Sequence, residues 1–93
     1  MKIVITNAEE ADMPQEMADN CCQLIAWRIQ KLYFLLPNIG DEITILYSEK
    51  DPLQTTDLVD DNAYFIDFEV MSVESVAGQT NTDNATVYVE LAF

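Results

Sequence analysis

The sequence predicts an α+β domain spanning residues 1–93: one long helix packed on a small, mostly antiparallel four-stranded sheet, in the chain order β-α-β-β-β. Three observations predict it. Short segments rich in β-branched and aromatic residues alternate apolar and polar side chains, as half-buried strands do. One stretch carries apolar residues at helical spacing instead. The chain has 93 residues, which is the size of one domain, so both kinds of element must share one core.

Lys2 to Thr6 reads KIVIT, a short β-branched strand. Asn7 to Asp12 is a polar turn holding three acids. Pro14 suits the first turn of a helix, and Glu16 follows it closely. From about Pro14 to Leu36, Ala18, Cys22, Ile25, Ile29, Leu32 and Leu36 recur at spacings of three and four, so they line one stripe expected to face the core. Pro37, Asn38, Ile39 and Gly40 end the helix. On the outer face Trp27 and Phe34 stand seven residues apart, with Gln23 and Gln30 beside them. Two large aromatics on a polar face read either as a contact surface or as ground covered by the irregular stretch after residue 50.

Asp41 to Ser48 is the second strand, with Ile43, Ile45 and Tyr47 alternating against Thr44 and Leu46. Glu49 to Asn62 is a connection. Tyr64 to about Val76 is a long third strand, with Tyr64, Ile66, Phe68 and Val70 on one face and Asp67 and Glu69 on the other. The alternation blurs from Met71 to Ser75, where a bulge is expected. Ala77 to Asn84 has the composition of a hairpin loop. Ala85 to Phe93 is the fourth strand, with Val87, Val89, Leu91 and Phe93 inward and Tyr88 and Glu90 outward.

The charge is extreme and uneven. Seventeen Asp and Glu face four Lys and Arg with no His, a net charge of −13. Apolar residues nevertheless make up 49% of the chain and nine residues are aromatic, which sets it apart from disordered acidic segments. Solubility in a small domain needs a net charge of only about 2–8 in magnitude. A high-salt habitat or colloidal stability would account for the excess; so would a charge that is used. Residues 51–93 hold nine acids and no base. That half of the chain must project a one-signed negative field. Direct binding to nucleic acid or to anionic membranes is thereby disfavoured.

Chemistry has little to work with. Without histidine no Ser-His or Cys-His dyad can form. Gly40 and Gly78 are the only glycines and cannot build a phosphate-cradling loop. Cys21 and Cys22 are adjacent, a poor geometry for a mutual disulfide and no zinc ligand set. The acids of Asp57 to Asn62 lack the frame of a calcium loop. No enzyme, cofactor or metal site is expected. Free thiols, and an N-terminus without a signal-like apolar run, point to a cytoplasmic protein.

What the charge can do is imitate phosphates. Asp57, Asp60 and Asp61 precede the third strand, and Asp67 and Glu69 share one of its faces at about 6.5–7 Å. Consecutive phosphates of a nucleic-acid strand have a comparable spacing, built on an axial rise of about 3.4 Å. Asp57, Asp60, Asp61, Asp67, Glu69, Glu74, Asp83 and Glu90 are the electrostatic contact candidates. Trp27, Phe34 and Tyr88 are the aromatic anchor candidates that would slow dissociation. The expected partner is a protein or complex whose basic groove normally holds DNA or RNA. The alternative is a small structural or adaptor protein that binds through Trp27 and Phe34, with a homodimer as one form.

In size, acidity and β-rich build the chain resembles the small DNA-mimic inhibitors of phages and mobile elements, which include uracil-DNA glycosylase inhibitors, anti-restriction proteins and anti-CRISPR proteins. The likeness is one of overall character. One local segment, Val73-Glu74-Ser75-Val76, is similar to the Glu-Ser-Ile edge-strand segment of the phage uracil-DNA glycosylase inhibitor. The stretch after it, Ala77-Gly78-Gln79-Thr80, differs from the methionine- and leucine-rich stretch of that family. The resemblance implies a counter-defence inhibitor with Glu74 and Ser75 among its contact residues.

Overall fold

A computed structural model of the chain describes residues 1–32, 36–53, 62–75 and 84–92. The elements come in the expected order: strand β1 (Lys2–Ile5), helix α1 (Gln15–Leu32), then strands β2 (Glu42–Tyr47), β3 (Tyr64–Glu74) and β4 (Thr86–Leu91). In space the strands lie β1-β4-β3-β2. β3 pairs antiparallel with both β2 and β4, while β1 joins β4 in parallel. β1 and β2 therefore run the same way at opposite edges, with β4 and β3 between them. Helix α1 connects the two edge strands and packs against both.

The helix begins where proline allows it. The Pro14 carbonyl accepts the Ala18 amide at 2.9 Å. Glu16 in the first turn and Lys31 in the last oppose the helix dipole favourably. The described part of α1 runs to Leu32, and Leu36, near the expected helix end, lies outside the helix as a half-buried residue packed on the core. Residues 33–35 lie outside the described residues.

The apolar side chains of the sheet meet α1 in a single core. Phe68, Ile25, Ile29, Ile43, Val70 and Val87 are its largest fully buried members. The expected helix stripe needs one correction. Cys21, Leu24, Ile25 and Ile29 are buried, whereas Ala18 and Cys22 are only partly so. The core side is centred about one residue away from the expected line. Ala18 and Cys22 line a cavity with Ile3, Val4 and Ile5 of β1, so they lie toward that edge rather than the sheet's middle.

The bulge forms where the alternation blurs. Val70 pairs with Val89 and Ser72 with Tyr88, so Met71 is an extra residue on β3. Beyond Val70, β3 outlasts β2, so Val73 and Glu74 pair with β4 alone.

Two residues close the sheet's ends. Asn7 is 6% exposed; its side-chain amide donates to the Leu91 carbonyl at 3.2 Å and accepts the Leu91 amide at 2.8 Å. It extends the β1–β4 ladder by one step with a side chain. Gly40, at φ 93°, turns the chain into β2 and donates to the Val70 carbonyl at 2.8 Å. A Cβ there would touch nothing within 4 Å, so only the backbone conformation opposes a side chain. Gly40→Ala should therefore lower stability by about 1–2 kcal/mol, measured by urea unfolding, with the fold unchanged.

Candidate functional site

One face of the sheet carries the helix. The other carries charge. Strand alternation sends Glu42, Thr44 and Leu46 of β2, Phe65, Asp67 and Glu69 of β3, and Tyr88 and Glu90 of β4 to the face turned away from α1. The register then decides which side chains meet. Glu69 stands directly opposite Glu42 on one side and directly opposite Glu90 on the other. Three carboxylates from three adjacent strands form one row across the sheet. Directly opposed residues have Cβ atoms about 4.5–5.5 Å apart, so this row is denser than the spacing along a strand.

Asp67 forms the next row with Thr44, whose hydroxyl donates to its carboxylate at 2.6 Å. Glu74 lies at the far end of β3, where the Tyr88 hydroxyl donates to it at 3.1 Å. That bond to a carboxylate raises the Tyr88 phenol above its ordinary 10.0. Lys2 is the one base, among the described residues, whose strand position puts it on this face, out on β1. Arg28 and Lys31 are on α1, across the sheet.

The structure brings Asp67, Glu69, Glu74 and Glu90 together on this face, with Tyr88 among them. Trp27 is elsewhere: it is 43% exposed on α1, beside exposed Gln23 and Gln30, and cannot act as an anchor for the sheet face. Asp57, Asp60, Asp61, Asp83 and Phe34 lie outside the described residues. Two residues escaped the sequence reading. Glu42 completes the acid row, and only the order of the strands reveals it. Phe65, 73% exposed, stands opposite Leu46 beside Asp67. Its parity with Asp67 along the strand was a sufficient signal: it is a large apolar side chain on the acid side.

The thiols have different environments. Burial pushes Cys21 from its ordinary 9.0 up to about 11, and Cys22, half-buried, is also raised, first by burial and then by the nearby Asp19 carboxylate. At pH 8 only about one Cys21 in a thousand is thiolate, and thiolate is the reactive form. Iodoacetamide at pH 8 should therefore modify Cys22 slowly and Cys21 only after denaturation, which mass spectrometry of the labelled chain would read. Because the folded state holds the Cys21 proton more tightly, stability should fall as pH rises from about 9 to about 11.

Among the described residues no three His, Cys, Asp or Glu side chains are placed to hold a metal ion, and no helix is long and apolar enough to cross a membrane. No family model matches the chain, and neither a curated protein nor a solved structure matches it.

Proposed function

We propose that the chain is a non-enzymatic inhibitor of a nucleic-acid-binding protein, acting as a DNA or RNA mimic that occupies a basic groove. One observation carries the reading: the cross-strand row Glu42–Glu69–Glu90. Like charges directly opposite one another destabilise a sheet. A merely solvated face would interleave bases, as ordinary surfaces do. Here two like-charged pairs share a row on a rigid sheet, with Asp67 in the next row. Such a face fits a groove lined by Lys and Arg, steers the encounter and makes the on-rate sensitive to salt. Phe65 and Tyr88 supply apolar surface within the same face. The role this suits is counter-defence by a phage or mobile element, of the anti-CRISPR or anti-restriction kind, in the cytoplasm of a host cell.

The reading is tested by capture from host lysate with the tagged chain, washed at about 50 mM and then about 300 mM salt, a range over which phosphate-type contacts weaken by orders of magnitude. A nucleic-acid-processing enzyme or defence complex held at low salt and shed at high salt supports it. A partner indifferent to salt counts against it. Phe65→Ala should then speed dissociation of that complex about tenfold, a loss of about 1.4 kcal/mol, with its salt dependence unchanged.

A second reading is favoured by Trp27, which is 43% exposed on α1. In it the chain is a small accessory or adaptor protein that assembles through the helix face, as a homodimer or with another subunit. Trp27→Ala would then abolish assembly, while neutralising the sheet acids would leave it intact.

A further inference from the structure

A trough runs between α1 and the outer edge of β1, across the sheet from the acid face. Two adjoining cavities of about 420 and 310 Å³ make it, and they share Ile3, Asp19 and Cys22. Together they follow α1 from Gln15 to Gln30, a length of about 22 Å at the helical rise of about 1.5 Å per residue. An extended segment of six or seven residues, at about 3.3 Å each, is that long.

The helix side of the trough is smooth. Ala18, Cys22 and Ala26 are small residues spaced by four on one helix face. The opposite wall is a strand edge. The amides of Lys2 and Thr6 turn toward β4, bonding Ala85 and Val89 carbonyls at 2.9 and 2.8 Å. Parallel pairing therefore turns the peptide groups of Ile3 and Ile5 outward, into the trough. The Ile5 backbone partly offsets the upward shift of the Cys22 thiol, which sets that peptide group beside the sulfur. By the same parity the Ile3 amide and carbonyl face away from β4, along the outer edge of the sheet. Glu9 and Glu10 rim one end of the trough, Asp19 stands where the two cavities meet, Trp27 stands at the other end, and neither Lys nor Arg lines either cavity.

We propose that this trough takes up an extended basic segment of a partner protein, which adds as a strand to β1, sets its Lys or Arg side chains against Glu9, Glu10 and Asp19, and lays an apolar side chain on Trp27. Strand addition gives affinity through main-chain bonds and selectivity through alternate side chains. A second copy of this chain is a poor occupant, since it carries −13 and only four bases. The proposal goes beyond the mimic reading and uses a different surface.

The test is a titration of the isotope-labelled full chain with two seven-residue peptides. One alternates lysine and valine and ends in leucine; the other replaces each lysine by glutamate. The basic peptide should shift the amide resonances of Ile3 and Ile5, change Trp27 fluorescence and protect Cys22 from alkylation, while the acidic peptide does none of these. Neutralising Glu9, Glu10 and Asp19 together should weaken binding about fivefold, since three exposed ion pairs are lost. Trp27→Ala, at a surface position, should also weaken it. The sheet variant Glu42→Gln/Glu69→Gln/Glu90→Gln should still bind the peptide, so this result stands or falls apart from the mimic reading. Shifts confined to the acid face, equal binding of the acidic peptide, or shifts driven by protein concentration alone would each overturn the proposal.

Discussion

Replacing Glu42, Glu69 and Glu90 together by glutamine should make the protein more stable and nearly inert. The two effects have one cause. Glu69 faces a like charge on both sides, and each such pair costs about 0.2–1 kcal/mol. Removing both should stabilise the fold by about 1 kcal/mol, which in a domain of this size raises Tm by about 4–8 °C. The gain should shrink in high salt, where the repulsion is already screened. The same substitution removes three carboxylates from the face proposed to enter a basic groove. Close charge pairs across an interface couple by about 1.5 kcal/mol or more, so affinity for the captured partner should fall about a hundredfold or more, and its dependence on salt should flatten. Thermal unfolding and binding measured at two salt concentrations read both halves. A variant that is stabilised but binds as before would detach the acid row from function.

Asn7→Ala should have the largest effect on stability of any substitution considered for this chain. Asn7 looks like one more residue of a polar turn, yet it is buried and its side chain bonds both peptide groups of Leu91. Alanine cannot replace either bond, and a buried peptide group left unpaired costs about 1–3 kcal/mol. The expected loss is about 2–3 kcal/mol, or roughly 10 °C or more in Tm. Asn7→Asp keeps the acceptor for the Leu91 amide but sets a carboxylate against the Leu91 carbonyl. Its loss should be greatest at neutral pH and recover as pH falls toward about 4, because burial against the carbonyl raises the folded carboxyl above its ordinary pKa and the protonated acid can donate. An Asn7→Ala variant as stable as the parent would mean that the β1–β4 junction does not depend on this side chain.

Much of this was legible in the sequence, because strand alternation and helical spacing are local properties. Ile66, Phe68 and Val70 declared one face of β3 and Asp67 and Glu69 the other, and the bulge was visible where Met71 broke the pattern. Strand order is not local. Nothing in EITILY says that Glu42 stands opposite Glu69 or that β1 lies parallel to β4, so the acid row existed in the sequence only as scattered residues. The helix phase was misjudged for a related reason. A helix that packs against both edge strands is not buried along one line fixed by its own spacing, so Cys21 is fully buried while Cys22 only packs on the core's margin. Phe65 was missed for no such reason, since its strand position already set it with the acids.

The central claim is that the acid face stands in for nucleic acid. The most direct measurement is competition for the captured partner between this chain and a short duplex or single strand that the partner binds. Mutual exclusion, with the chain's affinity falling steeply as salt rises, is the predicted result. A stable ternary complex of partner, nucleic acid and chain would contradict it.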